Sequence, residues 1–358
     1  MASQLSRRPM WLPKVAIAVF AAFLSCVGAS GASAKTSAGP CDILKDSGTP
    51  CVAAHSTTRA LYADYNGPLY QVWRSDGRTR DIGVMAPGGV ADAAAQDAFC
   101  AQRTCIIGIV YDQSPQHNDL TIEAKGTAGK ADYGADAEAL PVTLNGRRVY
   151  GIRIDGRMGY RDNDATGTAR NGEPESMMMV TSALNVNSGC CFDYGNTEIT
   201  NVDTGEGHMD AVYFGTRCKP KATCLGSGPW VAADLENGLY QSADGGNEKL
   251  SYRGNTTPFV TAFLKNDGRT FFELRSADAQ KGPLTQIYHG PLPTAKPGYV
   301  PMQQEGGIVL GTGGDNSNRD TGLFFEGWMT KGLTSQAAED AVQANIVAAG
   351  YGGLQLTR

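Results

Sequence analysis

Cys190 and Cys191 are neighbours in Gly189-Cys190-Cys191-Phe192-Asp193-Tyr194-Gly195-Asn196, and the other cysteines also fall into close pairs. A bond between the neighbours would be unusual, because consecutive Cα atoms lie about 3.8 Å apart across a trans peptide while disulfides span about 4.4–6.8 Å. It would close no loop whose entropy matters. Such a ring is a poor staple, and a fixed apolar plate suits a ligand surface better.

Whether the cysteines are oxidised depends on where the chain goes. Arg7, Arg8 and Lys14 precede or open a largely apolar run from Val15 to Val27, and Ala32-Ser33-Ala34 stands before Lys35. This reads as a secretory leader over residues 1–34 with a small-residue cleavage site. The run is shorter than the roughly 20 residues of a membrane span, and Leu24-Ser25-Cys26 fits a lipoprotein site poorly. The chain is expected to be secreted: extracellular, or periplasmic in a Gram-negative host. Cleavage removes Cys26 and leaves Cys41, Cys51, Cys100, Cys105, Cys190, Cys191, Cys218 and Cys224. An even set in an exported chain reads as disulfides, and sequence neighbours pair 41 with 51, 100 with 105, 190 with 191 and 218 with 224. Zinc is disfavoured, since His55, His117, His208 and His289 are scattered and no paired Cys-x-x-Cys occurs. No metal or other cofactor is expected. Cleavage also takes away three cations and no anion, moving the net charge from −5 to −8, which argues against a nucleic-acid partner.

Glycine is abundant, 45 of 358 residues, and spread without a repeat. That suits many short strands joined by tight turns. Runs bounded by Gly, Pro, Asn or Asp predict strands at Arg148–Ile154, Met177–Thr181, Ala211–Phe214, Trp230–Glu236, Phe259–Leu264, Thr270–Arg275, Gly307–Leu310 and Leu323–Met329. Helical signals are few: Val90–Ala101, and Ser335–Ala349, where Ala338, Ala341, Val342, Ile346 and Val347 approximate a 3.6-residue stripe behind Thr334 or Ser335 as cap. The expected fold is all-β, a sandwich with a few short helices. Residues 35–358 read as its single domain, with no obvious second module after the last helix.

In Trp230-Val231-Ala232-Ala233-Asp234-Leu235-Glu236-Asn237-Gly238, period two puts Val231, Ala233 and Leu235 on one face and Trp230, Ala232, Asp234 and Glu236 on the other. Two carboxylates on one face can line a groove, and their mutual repulsion should raise one pKa; an ordinary solvated strand face is the bland alternative. In Gly311-Thr312-Gly313-Gly314-Asp315-Asn316-Ser317-Asn318 the glycines would let the backbone approach a ligand, with Asp315 at a strand end. A plain turn is one alternative. Another is a calcium loop on Asn316, Asn318 and Asp320, which lacks the twelfth-position glutamate, that place being Gly327. Two carboxylates flanking a bond suit glycoside hydrolysis, although spacing alone does not select Glu236 with Asp315. No Gly-x-Ser-x-Gly elbow or phosphate-binding loop occurs. Asn255-Thr256-Thr257 is a glycosylation sequon, meaningful only in a host that glycosylates exports.

At these residues the chain resembles the α-L-arabinofuranosidase B family, glycoside hydrolase family 54. The likeness runs from Gly39-Pro40-Cys41-Asp42-Ile43 and Thr49-Pro50-Cys51-Val52-Ala53-Ala54-His55-Ser56-Thr57-Thr58-Arg59-Ala60-Leu61-Tyr62 to Val342-Gln343-Ala344-Asn345-Ile346-Val347-Ala348-Ala349. Between them stand Cys190-Cys191-Phe192-Asp193-Tyr194-Gly195-Asn196, Gly207-His208-Met209, Ala233-Asp234-Leu235-Glu236-Asn237-Gly238 and Gly313-Gly314-Asp315-Asn316-Ser317-Asn318. The resemblance implies a concanavalin-like, jelly-roll type sandwich and a retaining hydrolase of terminal α-L-arabinofuranosyl residues. It makes Glu236 the nucleophile and Asp315 the general acid and base, roughly 5 Å apart. It further implies Asp234, Asn237 and the Gly314 backbone as sugar ligands, and Cys190–Cys191 as a vicinal disulfide lying against the sugar.

Two departures from the family follow. Its members usually carry a C-terminal arabinose-binding module, whereas this sequence stops at Arg358, so weaker retention on polymer is expected. Members also have a tryptophan between the strands around Phe214 and Trp230, where this chain reads Gly215-Thr216-Arg217-Cys218-Lys219-Pro220-Lys221-Ala222-Thr223-Cys224. The loop has lost the aromatic and gained a disulfide, which bears on the leaving-group side. Expected partners are arabinose-containing plant polysaccharides or oligosaccharides, with no nucleic acid and no membrane, for a monomer. A related furanosidase acting on galactofuranosides, and a lectin-like sandwich that binds without cleaving, are the alternatives.

Overall fold

Short runs rich in apolar, β-branched and aromatic residues assemble into two large antiparallel sheets in the computed structural model, which describes residues 1–2, 10, 38–219, 224–243, 252–294 and 297–356. One sheet has the order Cys51–Ser56, Glu326–Lys331, Glu175–Thr181, Val260–Asn266, Phe271–Asp278, Lys281–Pro291. The other runs Leu239–Tyr240, Trp230–Asp234, Asp210–Gly215, Asp193–Thr197, Gly307–Leu310, Tyr160–Asp162, Leu120–Ile122, Cys105–Val110, Pro68–Arg74, Thr79–Gly83. They pack face to face, Asp210–Gly215 and Trp230–Asp234 meeting strands of the first sheet, as in a β-sandwich. Met177, Met179, Tyr194, Val212, Phe214, Val231 and Leu264 all belong to the buried core. The all-β sandwich read from the sequence is thus the architecture of residues 36–358, which form one unit apart from residues 1–35. The expected leader lies, but for Met1, Ala2 and Met10, outside the described residues. Among the described residues no helix is long and apolar enough to cross a membrane.

Several element boundaries differ from the sequence reading. The strand expected over Arg148–Ile154 is two, Arg147–Tyr150 and Ile152–Asp155. They part at Gly151, where a Cβ would stand 2.8 Å from the side chains of Leu140 and Phe325, and they pair in different sheets. Leu323–Met329 likewise splits into Thr321–Phe324 and Glu326–Lys331 around Phe325, whose peptide bonds Val180 on one side and Thr57 on the other. The helix expected from Val90 is Ala93–Cys100: Val90 and Ala91 are held in β-bridges to Arg59 and Val84, and Asp92 caps the helix by accepting from the Ala95 amide.

Gln336–Ala348 forms as expected, with Ser335 accepting from the Ala338 amide. Its buried face is Ala338, Glu339, Val342, Gln343 and Ile346, while Ala341 is exposed. Glu339 tolerates burial because Lys265 stands 2.7 Å and Arg275 3.2 Å away. The helix Pro40–Asp46 escaped the periodicity, being only seven residues long with proline at its start. All four expected disulfides are present.

Arg59 ties the N-terminal strand region to the C-terminus. It is buried, donating to both oxygens of Glu326 at 2.5 and 2.6 Å and to Asn345 at 2.7 Å, while the Tyr351 hydroxyl also donates to Glu326. Removing one partner of a buried pair leaves an uncompensated charge, so Arg59→Met should cost about 3–5 kcal/mol in a urea unfolding experiment. An unchanged unfolding midpoint would show that the pair contributes nothing.

Candidate active site

The strand Trp230–Asp234 delivers the first acidic group. Val231, Ala233 and Leu235 enter the main core, and Ala232 joins a separate cluster with Tyr213, Leu239 and Cys191, so the two faces fall as period two requires. The strand stops at Asp234, and Glu236 is set beyond it by a turn in which its own φ is +66°. A non-glycine residue there is uncommon and held by its surroundings. The Glu236 amide donates to Asp234 Oδ1 at 2.9 Å, and the His208 amide donates to Glu236 Oε2 at 2.7 Å. The other oxygen, Oε1, is buried and finds no donor.

The second acidic group hangs on Gly313-Gly314-Asp315. Ser317 donates its hydroxyl to Asp315 Oδ1 at 2.6 Å, and the Ala128 amide donates to the Asp315 carbonyl at 2.9 Å. Gly314 admits no side chain, since a Cβ would lie 1.8 Å from Glu198 Oε2. Asn316 and Asn318 direct their amide nitrogens to the carbonyls of Ala124 and Lys130. Both side chains are thus engaged with backbone carbonyls of the 124–130 loop.

Cys190 and Cys191 form the wall between these loops. The Cys191 amide donates to Ser317 O at 2.7 Å and the Arg319 amide to Cys190 O at 3.0 Å. The trans spacing assumed from sequence is corrected: their peptide is cis, and the Cα atoms stand 2.9 Å apart. Cys191 Sγ lies 3.2 Å from Asp234 Oδ2. Cys190, Cys191 and Asp234 have metal-ligand spacing, but sulfurs bonded to each other offer no thiolate.

These pieces enclose a cavity of about 220 Å³ lined by Cys190, Cys191, Asp234, Glu236, Gly314 and Asp315, with Glu198, Asp203, Met209, Arg217, Lys219, Gly313 and Ser317. Of the residues expected from sequence, Asn237 is the one that does not line it; it sits in the turn after Glu236, its amide bonded to Leu235 O. Sequence reading missed Glu198, Asp203 and the two cations. Glu198 follows Asp193–Thr197 directly, a strand that alternation did not reveal because all five residues are buried. Arg217 and Lys219 flank Cys218, which is bonded to Cys224; Pro220–Thr223 lie outside the described residues.

Arg161 organises the loops around this cavity. It is buried, and its donors are all used: Nε to Asn163, Nη1 to Glu123 at 3.0 Å and Gly314 O at 2.6 Å, Nη2 to the carbonyls of Glu198 and Thr200, both at 2.6 Å. A guanidinium has five N–H groups, so this one is saturated.

Burial dominates the electrostatics. It pushes Glu236 up to about 9, and the charges that add to it are those of Glu198 and Asp203. Asp234 rises to about 6, again through burial, with Glu198 and Asp315 contributing. The expected mutual repulsion of Asp234 and Glu236 is not the main cause: the Glu236 amide instead stabilises the Asp234 carboxylate. Glu198 is also raised by burial.

A sandwich with a small acidic cavity at the end of one sheet is an architecture suited to acid–base chemistry on a neutral ligand. Residues 40–352 match the family described as alpha-L-arabinofuranosidase B, catalytic. The chain belongs to this family. It is 52% identical over 324 residues to alpha-L-arabinofuranosidase B of Emericella nidulans, covering 88% of this chain and 62% of that protein. With an alpha-L-arabinofuranosidase of Hypocrea jecorina it shares 49% over 340 residues, covering 92% and 66%. A crystal structure of arabinofuranosidase complexed with arabinofuranosyl-alpha-1,2-xylobiose superposes with a TM-score of 0.81 at 45% identity, covering 89% of this chain and 67% of that one. The chain thus spans about two thirds of the length of these proteins.

Burial also holds Asp132 at about 6 and Glu123, Asp210 and Asp320 at about 7. Unfolded carboxyls titrate near 4, so between about pH 4 and 7 the folded chain binds more protons than the unfolded one, and stability falls as pH rises. Asp76 and Asp267, both held down at about 2, act in the opposite sense only below that window. Thermal unfolding should therefore give a higher melting temperature at pH 5 than at pH 8; the reverse order would show that these carboxyls are not buried as described.

Proposed function

We propose that this protein is an exported, retaining α-L-arabinofuranosidase that removes terminal non-reducing arabinofuranosyl groups from arabinoxylan, arabinan or their oligosaccharides. The observation that carries the reading is that Glu236 and Asp315, held on separate loops, line one small cavity beside the Cys190–Cys191 plate. A cavity of about 220 Å³ suits one pentose rather than a chain, and so favours exo action. Residues 1–34 direct export and 35–358 form the catalytic domain.

Glu236 attacks the anomeric carbon while Asp315 gives its proton to the departing glycosidic oxygen, leaving a glycosyl ester on Glu236. Asp315, now ionised, takes a proton from water, which attacks the same carbon and releases arabinose with retained configuration. Asp234 and the Gly314 backbone bind hydroxyls, and the disulfide presents an uncharged wall to the ring. Glu236→Gln should abolish nearly all turnover of an aryl α-L-arabinofuranoside, and Asp315→Asn should cost about 10²–10⁴-fold on a poorly departing sugar aglycone. NMR of the first-formed product checks the rest: an inverted anomer, or full activity in Glu236→Gln, would overturn the reading.

Glu236 must be ionised to attack, and the Glu198 charge is one of the neighbours that oppose this after burial itself. Removing the Glu198 charge lessens the repulsion that keeps Glu236 protonated. Glu198→Gln should accordingly move the acid limb of kcat/KM to lower pH; a limb that stays in place would exclude this coupling.

A further inference from the structure

We infer that Trp73, on the same sheet face as the cavity but at the opposite end of the sheet, is the platform of a second carbohydrate site that holds the pyranosyl main chain of a decorated polysaccharide. The inference rests on the proposed function only for the choice of polymer.

Trp73 is 37% exposed, though it sits in a strand whose alternate residues Tyr70 and Val72 are fully buried. Its indole lies over Gly108, where a Cβ would come within 2.0–2.4 Å of ring atoms. One ring face is therefore against backbone, and the ring also borders a cavity of about 450 Å³ whose floor is the cross-strand row Thr79, Trp73, Ile106.

The N–H edge of the indole is polar and braced by residues outside this cavity's lining. The Trp73 indole N–H donates to Gln71 Oε1 at 2.8 Å. Gln71 Nε2 donates to Asp81 Oδ1 at 2.8 Å and to Tyr111 Oη at 3.1 Å, and the Tyr111 hydroxyl donates to the same Asp81 oxygen at 2.8 Å. This closed ring fixes the indole without help from a partner and leaves acceptors at its edge. A pyranose presents an apolar C–H face and a hydroxyl edge, which match an aromatic plate beside fixed polar groups. One aromatic ring in a polar rim is too little apolar area for a protein interface.

The proposed function supplies the polymer, and the sheet places the two sites relative to each other. Direct cross-strand partners lead from Asp234 through Ala211, Gly195, Val309, Arg161, Thr121 and Ile109 to Gln71. Opposed residues in antiparallel strands share a face, and seven strand spacings put the two sites about 34 Å apart along the sheet. Ala211, Gly195, Val309 and Arg161 in this row are buried, so the two sites are separate openings on one sheet face, and only a polymer can reach both.

The test uses the whole protein and a polymer that cannot be hydrolysed by it, xylan freed of arabinose, in a depletion or affinity-electrophoresis assay. Trp73→Ala should weaken xylan binding roughly five- to tenfold and leave kcat/KM on a small aryl α-L-arabinofuranoside unchanged. Trp73→Phe, which keeps a ring over Gly108, should retain part of the binding and guards against a folding defect in the alanine variant. Equal xylan binding by folded Trp73→Ala and the parent overturns the inference. So does concentration-dependent self-association in the parent that Trp73→Ala abolishes, because the face would then be a contact between copies. Because xylan binding is read without catalysis, a lack of arabinofuranosidase activity would sink the proposed function and leave this result standing.

Discussion

Everything around the cavity hangs on the saturated guanidinium of Arg161. Its five donors reach Glu123, Asn163, the carbonyls of Glu198 and Thr200, and the carbonyl of Gly314. Three chain segments far apart in sequence, at Glu123, Glu198–Thr200 and Gly314, are thereby fixed to one strand, Tyr160–Asp162. A buried cation is tolerated only when its hydrogen bonds are complete. The loops that complete them are the ones that carry Glu198 and Asp315. The geometry of the acidic cavity is in this sense a consequence of satisfying one arginine, and Gly314 is needed because Glu198 occupies the space where a side chain would go.

The cavity balances two opposing requirements. Five carboxyl groups line it, from Glu198, Asp203, Asp234, Glu236 and Asp315, and several are pushed upward by burial. The Cys190–Cys191 plate contributes a wall that adds no further charge. Arg217 and Lys219 bring positive charge to the lining of the cavity.

Much of this was legible in the sequence, for identifiable reasons. The four disulfides followed from close pairs in a chain expected to be exported, and covalent bonds between near neighbours need little knowledge of the fold. Strands at Gly307–Leu310 and around Met177–Thr181 followed from apolar runs between turns. The reading failed where tertiary contacts override local pattern. Gly151 and Phe325 each break an apparent strand because packing or a peptide's partners change there. Val90 and Ala91 leave the helix because they pair as β-bridges. The strand Asp193–Thr197 showed no alternation because both of its faces are covered.

By itself the sequence determined the β-rich composition, the bonded cysteine pairs, the family words and the two acidic segments, all of which are local or carried by resemblance. Only the tertiary structure decided that Asp234, Glu236 and Asp315 share one cavity with Glu198 and the cis-linked cysteines. It also decided that burial, more than the spacing of two residues, governs their protonation, and that Trp73 lies on the same sheet face. These are properties of through-space distance and desolvation. They arise when strands remote in the chain are brought into register, and no spacing along the chain encodes them.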